Sequence, residues 1–139
     1  MIGFYIEEKF QFLLENKLVL KRWLTAVIRE EQKEVGGLSF IFCSDDYLLD
    51  INRRFLKHDY YTDVITFDYS EGNLIGGDIF ISVDTVRVNA NEYRQTFENE
   101  LYRVIVHGVL HLCDYKDHSE EEKQQMRDKE DYYLAKLAF

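Results

Sequence analysis

The fold class predicted from this chain is α+β: a single domain with a small mixed β-sheet of about four strands packed against about five helices. Three observations predict it. Four short runs rich in β-branched and aromatic residues, at 2–6, 38–43, 63–67 and 77–82, have the length and composition of strands. Between and after them, longer segments repeat apolar residues three and four positions apart, as helices with one buried face do. The order is strand, helix, strand, helix, two strands and then helices, which suits one sheet with helices laid on it. At 139 residues, with 46% hydrophobic and 15% aromatic content, the chain is long enough for one real core, so a single domain spanning 1–139 is expected.

Taken in order, residues 2–6 alternate apolar and polar side chains like a half-buried strand. Asn16 is placed to cap a helix with Leu18, Leu20, Trp23, Leu24, Val27 and Ile28 on its inner side, and Gly36 and Gly37 are expected to end it. LSFIFC, residues 38–43, is a buried strand. Ser44 then caps a helix with acidic residues Asp45 and Asp46 in its first turn, reaching about Phe55. A loop covers Leu56 to Tyr61. DVITF and GDIFIS are neighbouring strands, separated by the turn-rich EGNLIGG. Val83 to Gln95 is weakly helical. Thr96 caps a central helix with Leu101, Val104, Ile105, Gly108, Val109 and Leu112 on its apolar face. Ser119 and Glu122 have capping-box spacing for a last helix, in which Met126, Tyr133, Leu134 and Leu137 turn inward.

Charge narrows the function classes. A formal charge of −9 argues against general nucleic-acid binding, which rests on clustered Lys and Arg, so any RNA contact must be local. Basic residues do gather at Lys17 to Arg22 and at Arg53, Arg54, Lys57 and His58, while the run SEEEKQQMRDKED reads as a solvated helix face. No stretch of eighteen apolar residues occurs and the N-terminus lacks a basic region followed by an apolar run, so no membrane partner and a cytoplasmic location are expected. Cys43 and Cys113 sit in apolar surroundings as core thiols, which suits a reducing compartment.

The richest window is HGVLHLCDYKDH, residues 107–118. On a helix through Leu112, His107 and His111 lie one turn apart on one face, within shared reach of an ion, and His118 comes from beyond the helix end. Three imidazoles leave a fourth zinc position open, the layout of a catalytic rather than a structural site. Zinc proteases place a glutamate directly after the first histidine as general base; here that position is Gly108, which counts against peptidase chemistry.

These residues resemble the YbeY family of bacterial endoribonucleases, whose hallmark is a His-Gly-x-Leu-His-Leu helix followed by a Gly-Tyr-Asp-His turn. HGVLHL at 107–112 and DYKDH at 114–118 carry the likeness, and INRRFLKHDYYTDVITFDY at 51–69 with GDIFIS at 77–82 supplies a second block in the same order. The resemblance implies a zinc ion on His107, His111 and His118, Thr62 and Asp63 beside the site, and cleavage of single-stranded rRNA in 16S maturation and ribosome quality control. It also implies contact with the small ribosomal subunit or one of its proteins. Two departures stand out. The turn glycine is Asp114, with one residue inserted before His118, and the family's arginine is replaced by Leu56. Asp tolerates a left-handed backbone better than most residues.

With no glutamate on the helix, the proton must be handled by the zinc-activated water or by a carboxylate near the last ligand, for which Asp117 is the candidate. His107 and Asp117 are therefore the expected catalytic groups, and Arg53, Arg54 and Lys57 the expected RNA contacts. The alternative is a ribosome-assembly factor that binds rRNA or a small-subunit protein and whose metal site turns over little.

Overall fold

The computed structural model describes residues 1–139 as β1 (Ile2–Ile6), α1 (Lys17–Glu30), β2 (Glu34–Cys43), α2 (Asp45–Phe55), β3 (Val64–Asp68), β4 (Leu74–Ser82), α3 (Val83–Glu92), α4 (Phe97–Leu112) and α5 (Glu120–Leu134). The expected α+β architecture is present: five helices and one four-stranded mixed sheet in the order β1-β2-β4-β3. β1, β2 and β4 run parallel, and β3 pairs antiparallel with β4 along the edge.

Strand periodicity divides the core in two. Ile79 and Ile81 of β4 join the main cluster with Phe40 and Phe42 of β2 and the inner faces of α1 and α4, whereas Phe80 joins a smaller cluster built from Leu48, Ile51 and Ile65. α4 therefore lies across β4 on one face of the sheet, and α2 covers the other. At about 25 cal/mol per Å² of apolar surface buried, the larger cluster supplies most of the stabilisation. Burial also pushes both thiols, Cys43 and Cys113, up to about 12.

The helix caps follow the expected chemistry. The hydroxyls of Ser44, Thr96 and Ser119 accept backbone N–H bonds from Tyr47, Asn99 and Glu122, and Ser119 with Glu122 completes a reciprocal capping box.

Several expectations need correction. Asn16 stands at the head of α1 but in a left-handed conformation, φ 60°, and makes no side-chain cap. Leu18 is exposed rather than inward. Gly36 and Gly37 do not end α1, which stops at Glu30; they lie inside β2, where the pairing with β4 shifts register between Val35 and Leu38. A Cβ on Gly36 would stand 2.7 Å from the Ile75 carbonyl oxygen, so glycine is demanded there by close approach of two strands. EGNLIGG is only partly a turn, since β4 already begins at Leu74. Finally, the acidic run in α5 is not wholly a solvated face, because Glu130 is buried.

Candidate metal centre and its cleft

α4 ends with its two histidines in the last two turns, and their geometry follows from what each Nδ1 touches. His111 Nδ1 lies 2.9 Å from the Tyr115 carbonyl oxygen, which can only accept, so the proton sits on Nδ1 and Nε2 carries the free lone pair. His107 Nδ1 lies 2.6 Å from Oε2 of Glu130, with the same consequence. Both Nε2 atoms then face one another at 3.0 Å, and Asp117 Oδ2 stands 3.5 Å from the first and 3.3 Å from the second.

Two imidazole nitrogens and a carboxylate brought this close call for a proton or a cation among them. Two nitrogens held tetrahedrally at about 2.05 Å from zinc would lie about 3.3 Å apart, so the spacing fits a shared ion closely. The donor atoms of His107, His111 and Asp117 all lie within 4.8 Å of one another. His118 lines the same cleft one residue on, with its ring outside that trio and its backbone N–H donating to Glu122 Oε1.

Electrostatics set the two imidazoles apart. Burial pushes His107 down, but the Glu130 carboxylate, helped by Asp63 and Asp117, outweighs it and holds the ring above its ordinary value. Burial and the neighbouring His107 together hold His111 below its own. Asp63, deep beside His107, is raised by burial. Glu130 is itself held by Arg103, whose Nη1 donates at 2.9 Å while Nη2 reaches Asp131. Sequence reasoning missed Glu130 and Arg103. The signal was present in the spacing of Met126, Glu130 and Tyr133, a four-and-three stripe that marks the buried side of α5.

Gly108 has a physical reason of its own. A Cβ there would stand 2.9 Å from Cγ2 of Ile79, so the position that carries a glutamate in zinc proteases is pressed flat against β4. No carboxylate can occupy it while α4 keeps this seat.

The cleft holds about 510 Å³, walled by α4 on one side and by β3 with the segment leading into it on the other. Thr62 and Asp63 line it, as do Leu56, His58 and Tyr60. The His58 and Tyr60 rings stack at 5.2 Å between centroids. Asn52 anchors this segment by donating to the Tyr60 carbonyl. Arg53, Arg54 and Lys57 are placed outside the cleft, the arginines on the exposed end of α2 and Lys57 just past it: Arg53 pairs with Asp59, Arg54 with Asp50, and Lys57 adopts φ 55°. Of the tyrosines, Tyr61 is engaged with Asp46.

A hydrolytic metal centre seated on an α+β scaffold is the class that fold and site together define. Comparison with known proteins gives the particular family. The family model described as Endoribonuclease YbeY matches residues 6–138. Among curated relatives, the Endoribonuclease YbeY of Parabacteroides distasonis is 47% identical over 133 residues, covering 96% of this chain and 94% of its own. That of Flavobacterium johnsoniae is 48% identical over 135 residues, covering 97% and 96%. A solution structure of a Thermotoga maritima protein aligns with TM-score 0.65 at 30% identity, covering 99% of this chain and 89% of that one. The chain belongs to the YbeY endoribonuclease family, hydrolases that cut RNA phosphodiester bonds. Its structure has a group able to hold a metal ion and no helix long and apolar enough to cross a membrane.

Proposed function

We propose that this chain is a zinc-dependent, single-strand-specific endoribonuclease acting in 16S rRNA maturation and ribosome quality control. It works in the cytoplasm on rRNA presented by the small ribosomal subunit or one of its proteins. The observation that carries this reading is the pair of Nε2 atoms, turned toward one another because each Nδ1 is committed elsewhere, converging with Asp117 in a cleft wide enough for a nucleotide. His107, His111 and His118 hold the zinc. When bound, that ion supplies Lewis acidity, acidifying water and polarising a phosphoryl oxygen.

The chain's own residues do the rest. Glu130 and the Tyr115 carbonyl fix both tautomers, and such outer partners are worth ten- to a hundredfold in metal affinity. Asp117 takes the proton from the attacking water. Arg53, Arg54 and Lys57, beyond Asn52 and Leu56 at the cleft rim, meet phosphates on the way in. A second ligand set, with Asp117 as third ligand in place of His118, is favoured by the convergence of the Asp117 carboxylate on both nitrogens.

Elemental analysis of untagged protein beside His111→Ala, followed by cleavage of single-stranded rRNA on the same samples, tests the reading. The expected result is one zinc per chain, lost in the variant together with cleavage. Zinc without cleavage would overturn the nuclease in favour of an assembly factor, and absence of metal would remove the centre. His118→Ala and Asp117→Asn separate the two ligand sets: the true third ligand loses zinc, and the proton acceptor keeps zinc and loses turnover.

A further inference from the structure

The exposed side of α1 carries charge that the fold does not use. Lys17, Lys21, Arg22 and Arg29 are all exposed, and none stands within ion-pair distance of a carboxylate, in a chain that has 26 acidic residues against 17 basic ones. At 100° per residue they fall with Thr25 inside an arc of roughly 140°, and Lys17 to Arg29 runs roughly 18 Å along the helix. The opposite side holds Leu20, Trp23, Leu24, Val27 and Ile28 in the core. The only acidic residue of α1, Glu30, is already tied to Lys136. Lys21, Arg22 and Arg29, with Thr25 and Ala26, wall a shallow groove of about 540 Å³.

Helix energetics favour Arg29, which lies in the last turn, but do not explain the others. The first turn holds Lys17 and no acid, opposed to the helix dipole, and Lys17 with Lys21 is a like-charge pair four residues apart. The metal cleft, by contrast, is lined by Asp63, Asp68 and Asp117 and by no Lys or Arg, so it offers a polyanion little affinity. The two regions are joined through one carboxylate. Glu31, just beyond Arg29, accepts from the Tyr115 hydroxyl at 2.7 Å, and the Tyr115 carbonyl is what holds His111.

We propose that the α1 stripe is a second contact surface for the RNA phosphodiester backbone, gripping the substrate strand outside the cleft where cutting takes place. The proposal rests on the endoribonuclease reading above and adds where binding strength comes from. Unpaired cations over roughly 18 Å match several successive phosphates, and counterion release there supplies sequence-independent affinity that the acidic cleft lacks. Charge complementarity selects RNA as the occupant.

The test compares binding of a long single-stranded RNA and of an oligomer just long enough to cross the cleft, across a salt series, using the full zinc-loaded chain. A triple reversal, Lys21→Glu with Arg22→Glu and Arg29→Glu, should weaken the long RNA at least tenfold. It should also flatten log affinity against log salt by roughly 2, at about 0.7 for each single-strand phosphate that the protein no longer neutralises. Cleavage of the short oligomer should be unchanged. The neutral triple, with Gln at all three positions, should fall between, and an unchanged thermal melt establishes that both variants fold. Unchanged affinity for long RNA would overturn the proposal. So would a variant that keeps naked RNA but loses a small-subunit protein, which would make the stripe a protein-docking surface. If the wild type binds long RNA through α1 yet cuts nothing, this proposal stands and the nuclease reading fails.

Discussion

The wall of the cleft formed by α4 and the loops at 56–62 and 114–118 beside it hold their side chains in different ways. On α4, each imidazole projects from a regular helix seated on β4, and each Nδ1 is committed to one acceptor, Glu130 or the Tyr115 carbonyl. In the two loops, Lys57 and Asp114 take left-handed φ values of 55° and 75°, and Leu56, Tyr60 and His118 are exposed. Two of the proposed zinc ligands thus stand where packing over-determines position, and the third, His118 or Asp117, has to be delivered by a loop.

That contrast can be broken from the helix side first. Glu130→Ala should be the most damaging change, because it strips a buried carboxylate from both His107 and Arg103. Loss of a buried partner costs about 3 kcal/mol, toward the lower end of its range because Arg103 keeps Asp131. Zinc affinity should fall ten- to a hundredfold. Urea denaturation and a zinc competition titration check the two halves, and near-wild-type values would mean that α4 alone orients the ring.

Gly108→Ala comes next. Overpacking against Ile79 costs about 1–3 kcal/mol, against about 1 kcal/mol gained in helix propensity, so a net loss of about 1 kcal/mol is expected in the same denaturation assay. A stabilised variant would show that α4 can lift from the sheet, which would remove the rigid wall from the comparison.

A pH series sharpens it further. His107 is held above its ordinary value of 6.5 in the folded chain, so between that value and the raised one the folded state binds more protons than the unfolded. In chelator, the His107 contribution should therefore be full below about pH 6.5 and fall as pH rises through its folded pKa, while His111, held below its ordinary value, makes a contribution of opposite sign that is lost as pH falls below about 6.5. Asp63, also raised, contributes the same sign as His107 at lower pH. Glu130→Gln should flatten the upper part of this profile. With zinc supplied the trend should reverse, because metal replaces the proton on the same nitrogen. A flat profile in the wild type would place His107's proton balance elsewhere.

The smallest effect belongs to the loops. Asp114→Gly relieves a left-handed backbone at some cost in chain entropy and should stabilise by about 0.5 kcal/mol, with zinc affinity unchanged. A large change in zinc affinity would mean that the backbone at Asp114 sets where the third ligand, His118 or Asp117, arrives.

What was legible in the sequence follows the same division. The strands, the caps at Ser44, Thr96 and Ser119, and the shared face of His107 and His111 are local patterns of period two or 3.6, and they fold as they read. The turn at Asp114 was legible as well, since its left-handed conformation is one that aspartate tolerates. Gly36 and Gly37 misled because glycine marks close strand approach as readily as a helix end, and only pairing with β4 decides between them. Glu130 was hidden for another reason. Twenty-three positions separate it from His107, and it sits in a run of charges whose burial becomes visible only once α5 is docked. Arg53 and Arg54 read as RNA contacts, and the acids that each of them meets within six residues, Asp59 and Asp50, lie too close in sequence to stand out as partners before the chain is folded.

The separation of His107 from Glu130 also has a meaning in time. During synthesis the two imidazoles leave the ribosome ahead of the carboxylate that orients one of them, by about one to five seconds at 5–20 residues per second. Until α5 arrives, His107 is free to take either tautomer and the centre is unfinished. A chain halted before α5 keeps Asp117, His118 and the Tyr115 carbonyl but lacks Glu130, and should therefore hold zinc about ten- to a hundredfold more weakly than the full chain, a comparison that a zinc titration settles. The centre would then be armed only once α5 has been made and docked.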